Sequence, residues 1–469
     1  MRIPFPDEVL PAEQLGTVHF VGIGGAGLSA IARIMAQRGV VVQGSDARHS
    51  AVIEALRAEG ITCFVGQDAA HLDGVDTVVA STAVREDNPE IVAARARGLR
   101  LWPRSAGLTS LMTPPITTVA VAGTHGKTTT TGMLTCALVG AGADPSFAIG
   151  AEVPALGTNA RAGADPVFVV EADESDGAFL HYAPSGAIVT NIDADHLDMW
   201  GSVEAYEQAF DDFVATVGDF LVVNTEDPGA ERIADRARAA GLRVVTVGFA
   251  PAVADIAGAE LRVDGTTTRL RVVVEGDTHE LELLVPGRHY ALDALLALGA
   301  GRALGYPVAP LIAGLGTFRG AARRMEYKGE AGGVRVYDSY AHHPTELAAD
   351  LAAARAVAGE SRLVAVFQPH LVSRTRIFGG QMGEALSLAD EVAVLDIYLA
   401  REDPDPEVTS QLIVDAVAGP PARVVGSVAA APAAVASSVR PGDVVVTLGA
   451  GDVTEVGPAL LSLLEQPGE

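Results

Sequence analysis

Short, uniformly apolar runs alternate with polar turns and helix-like segments along most of the chain. Examples are VHFV from residue 18, TTVAVA from 117, VFVV from 167, GAIV from 186 and LVAVF from 363. Such runs are typical of strands in a parallel sheet, because helices cover both faces of that sheet. Most are followed by a polar turn and then by a helix-like segment. The pattern therefore predicts an α/β protein built from strand–loop–helix units.

The chain has 469 residues, too many for one ordinary core, and the pattern divides it into three blocks. We expect a Rossmann-like N-terminal domain over 1–113, a P-loop ATPase-like central domain with a mainly parallel sheet over 114–325, and a Rossmann-like C-terminal domain over 326–469. Around residues 260–285 alternating strands predict an antiparallel insertion. In the third block each polar cluster follows a strand, so the clusters should line one rim of the sheet.

The stretch 117–128, TTVAVAGTHGKT, is the strongest candidate for a binding site. A buried strand would run into a tight turn and then a helix, so that backbone N–H groups and the helix N-terminus point at one phosphate. Lys127 would supply charge for the outer phosphates, and the Thr128 hydroxyl would bind Mg²⁺. The general phosphate-loop pattern requires glycine where this chain has Val121. Because of this mismatch, a glycine-rich strand–helix turn with a surface lysine stays an alternative. It is the weaker one, because strand, Gly-Lys-Thr and helix occur in the required order.

Two acidic turns follow other apolar strands of the same block. The first contains Glu171, Asp173, Glu174 and Asp176, and the second contains Asp193, Asp195, His196 and Asp198. If both strands neighbour the phosphate-loop strand, these groups face the bound phosphates. One or two carboxylates with phosphate oxygens suffice for Mg²⁺, and a histidine suits a second metal ion. Solvated loop charges are the alternative, but two such clusters favour a site.

Near the N-terminus a second glycine-rich turn joins a strand to a helix. Gly22, Gly24 and Gly27 fit the pattern G-x-G-x-x-G, and Asp46 ends the next strand. The pattern fits NAD, FAD or any nucleotide with a diphosphate, and a plain strand–helix turn stays open as well.

Composition limits the partners. The net charge of −26 argues against a nucleic acid or an anionic membrane. Cys63 and Cys136 lie in apolar surroundings, form no disulfide framework and fit a reducing compartment. The N-terminus lacks the pattern of a signal peptide, and no apolar run reaches membrane-spanning length. We therefore expect a soluble, cytoplasmic protein.

An ATP-driven joining of two substrates would use all three blocks, whereas a dehydrogenase would not need the Gly-Lys-Thr run. The chain in fact resembles the Mur ligase family over almost its whole length, most closely the alanine-adding branch. The motifs are GIGGAGLS (22–29), GTHGKTTT (123–130), EADESD (171–176), NIDADHLD (191–198), Arg323-Arg324, YAHHPTE (340–346), FQPH (367–370) with Ser373-Arg374-Thr375, and GAGD (449–452).

The resemblance implies an ATP-dependent ligase that joins L-alanine to the carboxylate of UDP-N-acetylmuramate through an acyl phosphate. That reaction is the first peptide step of peptidoglycan precursor synthesis, with ATP and Mg²⁺ required. It links the protein to cell-wall biogenesis, cell shape and cell division. We expect a monomer or a weak homodimer.

The resemblance also assigns residues by motif. The catalytic residues would be Lys127, His196, His343 and Arg374. The ATP-binding residues would be Gly123, Thr124, His125, Gly126, Lys127, Thr128, Thr129, His289, Asp293 and Arg324. The residues that bind the UDP-substrate would be Gly22, Gly24, Gly25, Gly27, Asp46, Ser81 and Asn159. The metal ligands would be Thr128, Glu171 and His196.

Four positions bear on the branch and its activity. Several relatives that add later residues carry a carbamylated lysine where this chain has Phe210, so we expect none here. Asp293 replaces an asparagine near the adenine, which puts one hydrogen bond in doubt because an ionised aspartate only accepts. Ser339 replaces an aspartate and should remove one charge at the rim. Val372 stands where an aromatic or polar residue is usual. We expect tuning of activity rather than its loss.

Three alternatives stay open. The first is a ligase that joins a tripeptide to UDP-N-acetylmuramate in cell-wall recycling. The second is a non-catalytic nucleotide-binding relative. The third, a nicotinamide oxidoreductase, leaves the second and third blocks unexplained.

Overall fold

The computed structural model describes residues 3–81, 84–400 and 402–465. It contains three sheets of mainly parallel strands with helices between them, which confirms the predicted α/β class. The chain divides into two compact units: Met1–Ala257 with Val273–Asp277 and Asp293–Leu315, and Gly258–Val272 with Thr278–Leu292 and Gly316–Glu469. None of the described helices combines the length and apolar composition needed to cross a membrane.

The first sheet belongs to the first unit and has five parallel strands. They are β1 (Val18–Val21), β2 (Val42–Asp46), β3 (Thr62–Val65), β4 (Thr77–Ala80) and β5 (Arg100–Pro103), in the order β3-β2-β1-β4-β5. The helices are α1 (Ala26–Gln37), α2 (Ala51–Ala58), α3 (Pro89–Ala96) and α4 (Arg104–Thr109). The chain turns to opposite sides of β1, so the glycine-rich turn after β1 lies where open α/β sheets bind ligands.

The second sheet of this unit contains the phosphate-loop strand. Its strands are β6 (Thr117–Ala122), β7 (Ser146–Val153), β8 (Thr158–Arg161), β9 (Val167–Glu171), β10 (Gly186–Val189), β11 (Phe220–Asn224) and β12 (Arg243–Gly248). The order is β12-β11-β10-β6-β9-β7-β8, with only β8 antiparallel to its neighbour among these seven. Because β9 and β10 flank β6, both acidic turns emerge beside the phosphate loop.

Helices and buried side chains fix this sheet. The helices of this region are α5 (Lys127–Gly140), α6 (Leu197–Trp200), α7 (Val203–Val214) and α8 (Pro228–Ala239). All residues of β10 and β11 are buried, as expected for strands covered on both faces. Phe210 on α7 is fully buried and packs against Phe179.

Three further strands follow in sequence. They are β13 (Ile256–Asp264), β14 (Thr267–Val274) and β15 (Asp277–Leu283), arranged as β15-β14-β13. Two-residue connections join them, and such connections require antiparallel strands. The predicted antiparallel segment is therefore present, and the helices α9 (Arg288–Ala303) and α10 (Val308–Leu315) follow it.

The third sheet lies in the second unit. Its strands are β16 (Glu326–Ala331), β17 (Val334–Ser339), β18 (Leu363–Phe367), β19 (Glu391–Leu395), β20 (Ala422–Gly426) and β21 (Val444–Leu448), in the order β16-β17-β21-β18-β19-β20. The helices are α11 (Pro344–Ala358), α12 (Val372–Leu386), α13 (Gln411–Val414), α14 (Ala431–Ala436) and α15 (Val456–Leu464). The motifs YAHHPTE, FQPH and GAGD follow β17, β18 and β21, three neighbouring strands that place them at one edge.

Candidate functional site

Glycine shapes the phosphate loop, residues 123–128, between β6 and α5. Gly123 and Gly126 have φ values of 132° and 81°, which side chains rarely adopt. A Cβ added to Gly123 would lie 2.0 Å from Thr190 Oγ1 on the neighbouring strand end. The loop can approach this strand only with glycine at that position, so its backbone is held close to the second acidic turn.

Lys127 begins α5 and folds back over the loop. Its Nζ donates to the carbonyl oxygens of Gly123 at 2.7 Å and Thr124 at 3.0 Å, and lies 2.8 Å from Glu174 Oε2. Burial opposes the charge, but Glu174 and neighbouring carboxylates more than offset it and raise the pKa of Lys127. Lys127 is therefore a cation at the mouth of the loop.

Glu174 is the fully buried partner of that cation. Its Oε1 lies 3.5 Å from the Tyr206 hydroxyl, which donates to it, and 3.8 Å from His196 Nε2. Burial raises the pKa of Glu174 to about 7, against the opposing effect of Lys127. Glu174 thus connects the loop lysine to the helix α7 tyrosine and to the predicted catalytic histidine.

Thr128 and Glu171 form an oxygen-rich pair beside Lys127. The Thr128 hydroxyl donates to Glu171 Oε1 at 3.1 Å, and the Gly150 N–H donates to Glu171 Oε2 at 2.8 Å. A hydroxyl and a carboxylate at this spacing are the donor types that Mg²⁺ prefers. These two members of the predicted metal set lie together and fit a hard divalent cation.

His196, the third predicted metal ligand, lies in the second acidic turn, after β10. It precedes α6 in a left-handed conformation with φ 51°, and its N–H donates to Asp195 Oδ1 at 2.7 Å. Its Nε2 lies 3.7 Å from Asp195 Oδ2 and 3.8 Å from Glu174 Oε1. The structure therefore brings His196 to Glu174. The side chain of Asp198 lies outside the described part of the chain.

Asn191, the first residue of the NIDADHLD motif, and Tyr206, which no motif included, support the loop. The Asn191 side chain accepts from the His125 N–H at 2.9 Å and donates to the His125 carbonyl at 3.0 Å. The Tyr206 hydroxyl lies 2.7 Å from Thr124 Oγ1. His125 Nε2 lies 3.2 Å from Asp193 Oδ2. Because Asn191 satisfies both backbone groups of His125, it fixes the middle of the loop.

Two other predicted ATP residues belong to the same unit. Thr129 is buried within α5. A Cβ added to Gly126 would lie 2.7 Å from Asp293 Oδ1, so Asp293 on α9 is packed against the loop. The structure thus brings a further carboxylate to the loop, at the position where the resembled family usually has asparagine.

The glycine turn, residues 22–27, contains four of the seven predicted UDP-substrate residues. The Gly22 N–H donates to the Ser45 carbonyl at 2.8 Å, and the Gly24 N–H donates to Asp46 Oδ2 at 3.0 Å. Gly25 precedes the first residue of α1, and Gly27 lies in its first turn. Asp46 therefore stabilises, through its bond to Gly24, the turn that leads from the carboxyl end of β1 into the N-terminus of α1.

Ser81 and Asn159 lie at other points around this region. Ser81 directly follows β4, and its carbonyl accepts from the Val84 N–H at 3.1 Å. Asn159 on β8 accepts from Arg33 Nη1 at 3.1 Å. Arg33 is about two helical turns along α1 from its start, so this hydrogen bond joins Asn159 to the body of α1.

Arg104 is a further candidate functional residue, and none of the motifs includes it. Its Nη2 donates to Asp176 Oδ2 at 3.0 Å and lies 3.8 Å from Asp173 Oδ2. A Cβ added to Gly27 would lie 3.0 Å from its Nη1. Arg104 therefore joins the first turn of α1 to the acidic loop, which we define as residues 173–176.

In the second unit, His343 serves as the N-cap of α11. Its Nδ1 accepts from the Thr345 N–H at 3.4 Å, while Glu346 Oε2 accepts from the N–H groups of His342 and His343 at 3.0 and 3.4 Å. The His343 ring is buried, with its centroid 4.9 Å from that of Phe378. Arg374 is buried on α12. The predicted histidine thus has a structural role in this unit.

Two neighbouring arginines stack on one ring. The guanidinium carbons of Arg323 and Arg324 lie 5.0 and 5.3 Å from the centre of the Tyr340 ring. Arg324 Nη1 also lies 4.0 Å from Glu346 Oε1. This geometry holds Arg324, a predicted ATP residue, close to the start of α11.

His289 and Ser339 both contact Asp350 on α11. His289 Nε2 lies 3.6 Å from Asp350 Oδ1, and burial lowers the pKa of His289 to about 4. Ser339 is fully buried and donates to Asp350 Oδ2, while burial raises the pKa of Asp350 to about 6. Ser339 is the last residue of β17 and is buried, so the charge that serine removes here would have lain inside the fold, beside Asp350.

Family models match three consecutive parts of the chain. The Mur ligase family catalytic domain matches residues 17–114, the Mur ligase middle domain 121–301 and the Mur ligase glutamate ligase domain 323–451. The UDP-N-acetylmuramate–L-alanine ligase of a Nocardioides species is 59% identical over 469 residues, covering 99% of this chain and 100% of the relative. The enzyme of that name from Thermobifida fusca is 49% identical, with coverage of 99% and 100%.

Solved structures agree with this relationship. The UDP-N-acetylmuramate–alanine ligase of Thermotoga maritima has a TM-score of 0.79 at 31% identity, covering 95% of this chain and 98% of that one. A murein peptide ligase from Psychrobacter arcticus has a TM-score of 0.71 at 25% identity, with coverage of 97% and 100%. The matches confirm the resemblance and the three-domain α/β fold: the chain belongs to the Mur ligase family.

Proposed function

We propose that this protein is an ATP-dependent ligase that joins L-alanine to the carboxylate of UDP-N-acetylmuramate. The observation that carries the proposal is the phosphate loop, where Lys127 and the Thr128–Glu171 pair meet at one sheet edge. Relatives that align over the full chain have this activity in their names. A nicotinamide oxidoreductase would leave this loop without a role.

The phosphate loop supplies the groups that ATP needs. N–H groups at the start of α5 would bind phosphate oxygens, and Lys127 would stabilise charge on the β- and γ-phosphates. Thr128 and Glu171 would hold Mg²⁺, which neutralises phosphate charge when bound. Transfer of this kind depends on positioning and on charge stabilisation, so Lys127 should dominate the contribution of the protein side chains.

Two steps account for the products. A carboxylate oxygen of UDP-N-acetylmuramate attacks the γ-phosphorus, and the bond to ADP breaks to give an acyl phosphate. The deprotonated amino group of L-alanine then attacks the acyl carbon, and phosphate leaves with the electron pair of the broken C–O bond. We propose that His196 acts near the acyl phosphate. His343 and Arg374 would serve the amino acid, because the Arg374 fork can bond both carboxylate oxygens.

The glycine turn is the proposed site for the diphosphate of the UDP-substrate. The first turn of α1 provides N–H groups and the positive end of a helix dipole. Ser81 and Asn159 remain proposed contacts of the same substrate, and His289, Asp293 and Arg324 remain proposed contacts of ATP.

The remaining proposals concern organisation. We propose domain boundaries near residues 113/114 and 325/326, which limited proteolysis would test. We further propose a cytoplasmic monomer or weak homodimer that binds neither nucleic acid nor membrane. Sedimentation at several protein concentrations would measure the association, and fractionation of the cells that make the protein would test the location.

Phosphate release tests the function directly. The purified protein with ATP and Mg²⁺ should release phosphate only when UDP-N-acetylmuramate and L-alanine are both present. Replacing L-alanine with the tripeptide should give far less turnover; the reverse preference would identify a recycling ligase. Absence of turnover with every acceptor, despite ATP binding, would identify a non-catalytic relative instead.

A further inference from the structure

We propose that Arg104 is a positioning residue that couples occupancy of the glycine turn to Lys127 through the acidic loop. In this coupling, the UDP-substrate and ATP each strengthen the binding of the other. The inference rests on the proposed function, because it takes the diphosphate of the UDP-substrate as the ligand of the glycine turn.

The position of Arg104 needs an anion. Its guanidinium lies against Gly27 in the first turn of α1, where the helix dipole is positive. A cation there is unfavourable unless negative charge lies beside it. Asp176 and Asp173 supply that charge, at 3.0 and 3.8 Å from Nη2. Two carboxylates that follow β9 therefore pair with a guanidinium that lies beside the proposed diphosphate site.

The other side of the acidic loop holds Lys127. Glu174 lies between Asp173 and Asp176 in sequence, and its Oε2 is 2.8 Å from Lys127 Nζ. Asp173 feels both cations: burial raises its pKa, but Lys127 and Arg104 more than offset burial, and the pKa lies below its ordinary value. One short loop therefore connects the cation of the glycine turn to the cation of the phosphate loop.

Short-range hydrogen bonds brace this loop and the two residues that follow it. The Ser175 N–H donates to Asp173 Oδ1 at 3.0 Å, and the Gly177 N–H donates to the Glu174 carbonyl at 3.1 Å. The Ala178 N–H donates to Asp176 Oδ1 at 3.0 Å. Because these bonds limit local bending, we expect a shift of Asp176 to reach Glu174, two residues earlier in the chain.

The direction of the coupling follows from charge. A diphosphate at the glycine turn competes with Asp176 and Asp173 for the guanidinium, which bonds phosphate in the same forked manner. The acidic loop is then released, and Glu174 relaxes its hold on Lys127. Lys127 becomes available to the γ-phosphate, so ATP binds more tightly. By linkage, ATP tightens binding of the UDP-substrate by the same factor.

Calorimetry tests the coupling in the full-length protein. The dissociation constant of a non-hydrolysable ATP analogue with Mg²⁺ is measured with and without saturating UDP-N-acetylmuramate. We expect binding about fivefold or more tighter with the UDP-substrate in the wild-type protein, within the usual range of allosteric factors. Arg104→Gln and Asp176→Asn should each bring the ratio close to one, and the double variant should add nothing. Arg104→Lys should restore part of it.

A matched control and a kinetic measurement separate coupling from folding. Arg95 on α3 pairs with Glu86 at 3.0 Å on the surface of the same unit, so Arg95→Gln should keep the wild-type ratio. In steady-state kinetics, Arg104→Gln should raise KM for the UDP-substrate, which loses a phosphate contact, but it should not raise KM for ATP, because the acidic loop is already released; kcat at saturation should fall much less. A general folding defect would instead lower the melting temperature and the active fraction.

The outcomes distinguish the two proposals. If the wild-type protein binds both ligands with a ratio of one, or if Asp176→Asn keeps the full ratio, the coupling is overturned while the ligase function stands. If Arg104→Gln loses affinity for the UDP-substrate but keeps the ratio, Arg104 is only a ligand and the coupling is overturned. If the wild-type protein does not bind UDP-N-acetylmuramate at all, the proposed function itself fails.

Discussion

The carboxyl edges of the second and third sheets both carry charged motifs, but they use them differently. At the second sheet, Lys127, Thr128 and Glu171 contact one another around a glycine loop. At the third sheet, fully buried Asp338 accepts from Thr447 and Thr454, while His343 caps a helix. The comparison supports the proposal that the edge of the second sheet binds phosphate, whereas these contacts at the edge of the third sheet hold its own elements in place.

Loss of Lys127 should have the largest effect. Lys127→Ala removes the cation that donates to the Gly123 and Thr124 carbonyls, so turnover should fall by about 10²–10³-fold or more. The fold should survive with reduced stability, because the mostly buried Lys127 side chain pairs with fully buried Glu174 but takes no part in the hydrophobic core. Phosphate release and circular dichroism measure the two properties.

Lys328→Ala is the matched control for that variant. Lys328 pairs with Glu326 at 3.0 Å on β16 and belongs to none of the motifs, so its loss should leave turnover within about twofold of wild type. Near-normal turnover of Lys127→Ala would contradict the proposed difference in function between the edges of the second and third sheets.

Glu171→Gln should have the next largest effect. The amide keeps the shape but loses the charge that would hold Mg²⁺, so the Mg²⁺ concentration for half-maximal turnover should rise about 10–100-fold. Titration of activity with Mg²⁺ measures this shift. Exposed Glu152 on β7 provides the control, since Glu152→Gln should leave the titration unchanged. An unchanged titration for Glu171→Gln would place the cation elsewhere.

Local sequence was enough to predict the carboxyl edge of the second sheet in outline. Strand, glycine turn and helix are consecutive, so Lys127 and Thr128 follow from a continuous stretch of chain. The approach of Glu171 needed one further condition, that β9 neighbours β6, and the sheet order meets it. Three-sheet α/β architecture likewise follows from repeated apolar runs separated by helices.

Contacts between distant segments were not predictable in the same way. Arg104 and Asp176 are 72 residues apart, Asn191 and His125 are 66 apart, and Tyr206 and Thr124 are 82 apart. Each contact exists only after the sheets are assembled, and an arginine, an asparagine or a tyrosine alone carries no signal of its partner. The placement of His196 beside Glu174 was hidden for the same reason.

Variants of His343 can distinguish a structural role from a catalytic role at the carboxyl edge of the third sheet. His343→Ala removes the side-chain acceptor for the Thr345 N–H and should lower the free energy of unfolding by about 0.5–2 kcal/mol. His343→Asn keeps a capping group and should preserve most of that stability. Chemical denaturation measures both variants.

Turnover of the same two variants then decides the role. If His343 also serves the reaction, both variants lose turnover although only the alanine variant loses stability. If the asparagine variant keeps full turnover, capping is the whole role of His343, and the contrast between the two sheet edges becomes sharper.

The smallest expected effect is a pH dependence of stability around Asp350. Burial lowers the pKa of His289 from 6.5 to about 4, so its contribution to stability is complete above pH 6.5 and is lost as the pH falls toward 4. Burial raises the pKa of Asp350 from 3.8 to about 6, so its contribution is complete below pH 3.8 and is lost as the pH rises toward 6. Between pH 4 and 6 the two trends oppose each other.

Removing either group should therefore expose the trend of the other. In His289→Gln the melting temperature should fall from pH 4 to pH 6 relative to wild type, and in Asp350→Asn it should rise over the same interval. Differential scanning calorimetry at several pH values measures both slopes. Slopes of the same sign in the two variants would show that the pair does not titrate as two oppositely shifted buried groups. Opposite slopes would support a structural role for these charges in the second unit, unlike the proposed phosphate-binding role of Lys127.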